Sequence, residues 1–289
     1  MIYDALVLPF IEFAFMQRAL SGALMLSLSA CPVGVFLMLR RMSLTGDAMA
    51  HAILPGAAAG FLLYGLEIVQ MTIGGLVAGI FVALGAGAIA RLTVQKEDAS
   101  MAAFYLISLA LGVMMVSLRG SSVDLMHVLF GTVLALNDDA LTLIALVSVT
   151  SIVLVGLFWR ALVAECMDPL FLRSVSRLGS PVHFIFLGLV VINLVAGFQA
   201  LGTLLSVGLM VLPAAAARFW TQRVSTMCAL AIAIGFASSI VGLLLSYHAS
   251  LPSGPAIILS AGAIYFVSVV ASPRGLLLSR LPKSLHRAA

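Results

Sequence analysis

Residues 70–92 read QMTIGGLVAGIFVALGAGAIARL, and this stretch decides the fold class because Arg91 is its only charged residue. A helix of this length and composition can cross a hydrocarbon core roughly 30 Å thick. Similar stretches recur along the 289 residues of the chain, of which 63% are hydrophobic and 9% charged. A water-soluble domain carries about 25% charged residues. The sequence therefore predicts one polytopic membrane domain over residues 1–289.

Nine apolar segments are predicted to be membrane-spanning helices, which makes the fold an all-α transmembrane bundle. No polar loop separates the sixth segment from the seventh, so eight spans is the alternative. The shorter amphipathic stretch from Val123 to Leu136 is predicted to be an interfacial or re-entrant helix. The nine segments are 14–39, 48–65, 70–92, 100–118, 139–159, 182–199, 200–217, 224–247 and 254–271.

The distribution of positive charge predicts the orientation, because Lys and Arg collect on the cytoplasmic side of a membrane. With the N-terminus outside and nine spans, only Arg18 and Arg119 of the 15 Lys and Arg residues lie outside. The loop 160–180 and the basic tail 272–289 are then cytoplasmic. The net charge of +4 does not indicate nucleic-acid binding, because most basic residues flank apolar segments.

Small residues recur at a spacing of four, as in Gly56 with Gly60 and Gly75 with Gly79. In lipid, such spacing allows helix backbones to approach closely. We therefore expect a compact helix bundle.

Asp47 and His51 are the candidate metal ligands of the translocation path. They lie four residues apart, so on a helix they share one face. Ionisable residues within a membrane usually face a bundle interior or a wet cavity. A carboxylate with an imidazole suits a borderline divalent cation such as Zn²⁺, Mn²⁺ or Fe²⁺. The alternative is structural, with Asp47 as a helix N-cap and His51 bonded to a neighbour.

Asp124 and His127 repeat this pairing at a spacing of three, near the predicted outer mouth. They are weaker candidates for attracting a cation, and an ordinary interfacial helix capped by Asp124 is the alternative. His248, near the outer end of a span, is a further weak candidate for the mouth. His183 is interpreted as structural.

Within the loop 160–180 the sequence predicts the start of a short helix, with Asp168 as N-cap and Pro169 at the first helical position. Arg173 and Arg177 share one face of that helix, which Gly179 would end. Such a helix suits docking of a cytoplasmic partner through Asp168, Pro169, Arg173 and Arg177. The alternative is a helix lying on anionic lipid.

Several functions lack the motifs that they need. Neither of the two lysines, Lys96 and Lys283, lies in a G-x-x-x-x-G-K-[ST] phosphate loop. H-E-x-x-H and G-x-S-x-G are also absent, so the chain is not predicted to be an enzyme. Cys31, Cys166 and Cys228 are scattered, which argues against a disulfide framework or a cysteine metal site.

Four stretches together resemble the membrane permeases of bacterial zinc and manganese ABC importers. The resemblance extends over roughly residues 14–272, and the order and spacing of the stretches make it specific. They are Arg41–His51 with Leu54–Gly56, Val123–Gly131 with Leu134 and Ala135, Ala200–Gly202 through Leu212–Arg218, and Leu243–Tyr247 with Leu251–Gly254.

This resemblance implies a multi-pass protein of the bacterial plasma membrane that works with a second permease copy, cytoplasmic ATPase subunits and an extracytoplasmic metal-binding protein. It places Asp47 and His51 on the translocation path and the segment near Asp168 against the ATPase. No permanently bound cofactor is expected, and the metal is cargo. The expected cargo is zinc first, then manganese, then ferrous iron.

Two other classes remain open from sequence. A secondary carrier driven by an ion gradient could use Asp47 and His51 without an ATPase. An intramembrane metalloenzyme would need a third ligand and a general base, for which the sequence offers no candidate.

Overall fold

The computed structural model describes residues 7–65, 67–95, 97–117, 136–168, 172 and 179–276. Within these ranges the secondary structure is helical, as the sequence predicts. The twelve helices are α1 (Leu8–Glu12), α2 (Ala14–Leu39), α3 (Ser43–Ala52), α4 (Leu54–Tyr64), α5 (Ile68–Leu92), α6 (Glu97–Ser117), α7 (Asp138–Leu157), α8 (Trp159–Met167), α9 (Gly179–Leu201), α10 (Thr203–Arg218), α11 (Val224–Ala249) and α12 (Ser253–Ala271).

Eight segments of the described chain are long and apolar enough to cross a membrane. Seven are single helices, and the eighth, Leu44–Tyr64, is formed by α3 and α4, which join at Ile53. The predicted seventh segment, 200–217, corresponds to α10, whose 16 residues extend only about 24 Å. Gly202, at φ +90, separates α9 from α10 without a polar loop, in a backbone conformation that favours glycine. Orientation in the membrane stays a prediction.

Helix α2 lies at the centre of the bundle and packs against α7, α9, α10 and α11. A Cβ added at Gly34 would lie 1.8 Å from the carbonyl oxygen of Met210, so the backbones of α2 and α10 are in direct contact. The hydroxyl of Ser148 in α7 donates to the carbonyl of Met25 in α2 at 2.8 Å. Close backbone contact and interhelical hydrogen bonds hold helices together where the surrounding lipid is as apolar as their side chains.

Two groups of helices pack around α2. One consists of α3, α4, α5 and α6, and the other of α10, α11 and α12. A Cβ at Gly56 would lie 1.9 Å from the carbonyl oxygen of Gly74, and one at Gly60 would lie 2.7 Å from that of Gln70. The close packing predicted from the small-residue spacing is thus confirmed between α4 and α5.

Two predicted helices lie wholly or mostly outside the described residues. Of the interfacial stretch Val123 to Leu136, only Leu136 is described. In the loop 160–180, α8 occupies the first part, and the N–H of Leu172 donates to the carbonyl of Asp168 at 3.2 Å, a helical hydrogen bond.

Candidate functional site

The turn between α2 and α3 fixes the direction in which the candidate metal helix leaves the bundle centre. Arg41 has φ +60, the left-handed conformation that usually ends a helix at a glycine. The N–H of Met42 donates to the carbonyl of Leu37 at 2.9 Å, and that of Arg41 to Met38 at 3.2 Å. This pair of hydrogen bonds is a Schellman motif. It satisfies the last carbonyls of α2 and starts α3 two residues later.

Helix α3 carries Asp47 and His51 on one face, as their spacing predicts. The Oδ1 atom of Asp47 lies 3.9 Å from Nε2 of His51. The Asp47 side chain is 67% exposed on the single chain and that of His51 is 30% exposed. Pro55, in the first turn of α4, has no backbone N–H to donate, which helps to end α3 at Ala52. The pair is therefore presented by a short helix of ten residues.

Asp47 and His51 line a cavity of about 330 Å³. The opposite wall is formed by the beginning of α10, including Thr203 and Val207, and by Ile258 of α12. Since Asp47 is mostly exposed, the cavity reaches the surface of the single chain. The pair is thus not sealed in a dry contact within the protein.

The two nitrogens of His51 have different surroundings. Nε2 faces Asp47, whereas Nδ1 is buried and has no hydrogen-bond partner in the described part of the chain. The His51 ring lies 6.0 Å from the ring of Tyr105 in α6, measured between centroids. This contact holds the imidazole against α6 and leaves Nε2 as the nitrogen directed toward the carboxylate.

Within the described ranges, no group of three His, Cys, Asp or Glu side chains is arranged to hold a metal ion. A single chain therefore offers two donors at this place, one carboxylate and one imidazole. Two donors leave most of the coordination sphere of a divalent ion open, so such a site binds weakly. Further donors would have to come from outside the described part of the single chain.

The other predicted site residues are not brought to this cavity by the described part of the structure. Asp124 and His127 lie outside the described residues, as do Pro169, Arg173 and Arg177. His248 is exposed in the last turn of α11, with its ring 5.2 Å from that of Tyr247. Asp168 follows the end of α8 in an extended conformation.

Sequence reasoning missed a buried charged cluster next to the same turn. The guanidinium of Arg40 lies 3.7 Å from the carboxylate of Glu165 in α8 and hydrogen-bonds Nδ1 of His183 in α9. The sequence signal was the position of Glu165 three residues after the apolar Leu162, because residues three apart share a helix face. His183, interpreted as structural, takes part in this cluster.

The bundle of apolar helices and the open acid–imidazole pair define a multi-pass membrane permease. The family model of the ABC 3 transport family matches residues 12–272, and the chain belongs to this family. It is the membrane permease subunit of an ABC importer for a metal cation in the bacterial plasma membrane. ATP hydrolysis is carried by separate ATPase subunits.

Three similar proteins illustrate the relationship. The manganese transport system membrane protein MntC of Listeria monocytogenes is 33% identical over 270 residues, 93% of this chain and 95% of the relative. The probable iron transport system membrane protein of Haemophilus influenzae is 31% identical over 93% of this chain and 98% of the relative. The solved structure of PsaBC from Streptococcus pneumoniae in complex with Fab has a TM-score of 0.84 at 30% identity and covers 96% of this chain and 99% of that one.

Proposed function

We propose that two copies of the chain bring their Asp47 and His51 side chains together around a divalent first-row metal ion in transit. The observation that supports this proposal is the placement of Asp47 and His51 on one face of α3, 3.9 Å apart and open to the surface of the single chain. A second copy would supply the donors that one chain lacks. Four donors, two carboxylates and two imidazoles, would then surround the ion.

The geometry of the pair is compatible with coordination of one ion. Two ligand atoms on a metal ion of this class lie roughly 3.0–3.5 Å apart. The separation of 3.9 Å between Oδ1 and Nε2 reaches that range by a small side-chain rotation. The exposed Asp47 carboxylate is free of packing that would prevent this movement.

We rank manganese first among the cargo ions, followed by iron and zinc. Relatives are described by their names as manganese and iron transport proteins. The proposed donors are oxygen and nitrogen atoms without a thiolate, and carboxylate ligands suit Mn²⁺ better than the softer ions. This order differs from the one expected from sequence, which placed zinc first.

The proposed assembly has a second permease copy, two cytoplasmic ATPase subunits and an extracytoplasmic binding protein that delivers the ion. Alternating access would expose the site first to the outside and, after ATP-driven closure of the ATPase subunits, to the cytoplasm. The segment following α8, with Asp168, Pro169, Arg173 and Arg177, is the proposed docking element for the ATPase.

Uptake of radioactive Mn²⁺ into proteoliposomes holding the complete importer tests the metal site. Asp47→Asn and His51→Gln should each lower uptake at least tenfold, because each removes a ligand twice in a dimer. Asp139→Asn, which removes an exposed carboxylate in the first turn of α7, should leave uptake unchanged. Normal uptake by both Asp47→Asn and His51→Gln would refute the site.

Competition during the same uptake identifies the cargo. Unlabelled Mn²⁺, Zn²⁺ and Fe²⁺ are added in turn at equal free concentration, with the binding protein present. Manganese should inhibit the signal most strongly. Stronger inhibition by zinc, accompanied by uptake of radioactive zinc, would restore the order expected from sequence.

A further inference from the structure

The buried cluster of Arg40, Glu165 and His183 joins parts of the chain that are distant in sequence. Arg40 follows the last residue of α2, Glu165 lies in α8, and His183 lies in the first turns of α9. The side chain of Arg40 is 9% exposed and that of Glu165 is 1% exposed. The cluster thus connects helices through charged groups that are almost completely removed from solvent.

Arg40 is held by several different contacts. One nitrogen, Nη2, lies 3.7 Å from Oε1 of Glu165 and donates a hydrogen bond to Nδ1 of His183. The guanidinium carbon lies 4.8 Å from the centroid of the Phe186 ring, a cation–π contact. Because arginine has only donors, Nδ1 of His183 is the acceptor of this bond.

The charges of the cluster are only partly satisfied. Nη1 of Arg40 and both carboxylate oxygens of Glu165 are buried and have no hydrogen-bond partner among the residues that the structure describes. They border a cavity of about 390 Å³ that Asp98 and Cys166 also line. Guanidinium and carboxylate groups frequently form a bidentate pair, with two parallel N–H···O hydrogen bonds. The separation of 3.7 Å falls short of it, so the pair has room to move closer.

Stability alone does not account for this cluster. An apolar pair of similar volume often stabilises a buried position as well as an ion pair does, or better. A half-satisfied buried pair is a more natural feature of an element with two arrangements, in which the second completes the hydrogen bonds.

The cluster lies between α8 and the turn that precedes α3. Arg40 immediately precedes the left-handed residue Arg41, which sets the direction of α3 and hence the position of Asp47 and His51. Glu165 lies three residues before Asp168, where the proposed ATPase-docking segment begins. We propose that Arg40 and Glu165 are positioning residues that couple α8 to the metal-binding helix, so that a displacement of α8 is transmitted to Asp47 and His51.

The inference rests on the proposed function and predicts a specific defect. Without the pair, the importer should still assemble, bind metal and hydrolyse ATP, but hydrolysis should no longer drive the movement of α3. The quantity to measure is therefore the number of metal ions taken up per ATP hydrolysed, which loss of folded protein alone does not change.

The experiment uses the complete importer in proteoliposomes, with Mn²⁺ as the ion. Single substitutions leave one buried charge unpaired and can prevent folding, so the informative variant is Arg40→Met/Glu165→Met. We expect it to match or exceed the wild type in thermal unfolding temperature, to bind Mn²⁺ like the wild type, and to lose at least tenfold in ions per ATP. Arg18→Gln/Asp138→Asn is the matched control, because it removes an exposed ion pair of 3.1 Å between the other end of α2 and α7.

The two proposals fail in different ways. Uptake per ATP equal to that of the wild type in a folded Arg40→Met/Glu165→Met importer would overturn the coupling role while leaving the metal site intact. An equal loss in the Arg18→Gln/Asp138→Asn control would also overturn it. Absence of Mn²⁺, Fe²⁺ and Zn²⁺ uptake in the wild-type importer would instead refute the proposed function, and the coupling role with it.

Discussion

The contact between Gly56 of α4 and Gly74 of α5 provides a direct test of how these helices are held together. In Gly56→Ala the new Cβ would lie 1.9 Å from the carbonyl oxygen of Gly74 and 2.5 Å from its carbonyl carbon. Both are backbone atoms, which cannot rotate away. Relief of this steric clash therefore requires the two helices to separate by about 1 Å, which weakens the dispersion contacts along their whole interface.

The expected loss of stability combines two opposing contributions. Forcing an additional carbon into a tightly packed interface costs about 3 kcal/mol, the upper part of the usual range, because the obstacle is backbone. Alanine improves helix propensity over glycine by about 1 kcal/mol. The net loss of about 2 kcal/mol lowers the ratio of folded to unfolded protein about 30-fold. The unfolding temperature should fall by about 4–8 °C.

Thermal unfolding of the purified protein, followed by the fluorescence of Trp159 and Trp220, measures this change. Gly188→Ala is the matched control, since a Cβ at Gly188 meets no atom within 4 Å. It should raise the unfolding temperature slightly through helix propensity alone. A Gly56→Ala protein that unfolds at the temperature of Gly188→Ala would refute the direct backbone contact.

Two further predictions concern a half-buried thiol and a buried hydrogen bond. Burial is the main cause that raises the pKa of Cys166 to about 11, so the thiol is protonated at neutral pH. In a Cys31→Ala/Cys228→Ala protein, alkylation of Cys166 at pH 7 should therefore be about 100-fold slower than alkylation of a thiol with a pKa of 9.0. The alkylation rate should increase as the pH rises toward 11. An alkylation rate independent of pH between 7 and 10 would contradict the raised pKa. The amide nitrogen of Asn193 in α9 donates to the hydroxyl of Ser151 in α7 at 2.8 Å. Ser151→Ala should therefore lower the free energy of unfolding by about 0.6 kcal/mol, measured in a denaturation series. A loss above about 2 kcal/mol would show that more than this hydrogen bond is broken.

Gly56 also illustrates how far sequence reasoning reaches into packing. The spacing of Gly56 and Gly60 predicted a close helix approach, because backbones can meet only where side chains are minimal. The sequence does not identify the partner surface, since many small residues occur in other helices as well. The structure identifies it as Gly74 and Gln70 of α5.

The helix that carries Asp47 and His51 was predicted in part. The spacing of Asp47 and His51 indicated a shared face, but the predicted span began at residue 48 and ran without interruption to 65. The structure begins α3 at Ser43, and α3 and α4 join at Ile53 to form one apolar span, Leu44–Tyr64, so the start of the predicted segment was placed too late. The start depends on the left-handed conformation of Arg41, which is uncommon for arginine and therefore not expected from composition.

The sequence by itself determined that the protein lies in a lipid bilayer, that its fold is helical, and which chemical groups are the candidate ligands. These properties follow from local quantities, namely the length of apolar runs and the spacing of residues along one helix. The tertiary structure alone decided that α2 is the central helix, that Asp47 faces a surface cavity, and that Arg40 meets Glu165. These are contacts between residues far apart in the chain, and their partners depend on how complete helices pack, a property that no local pattern carries.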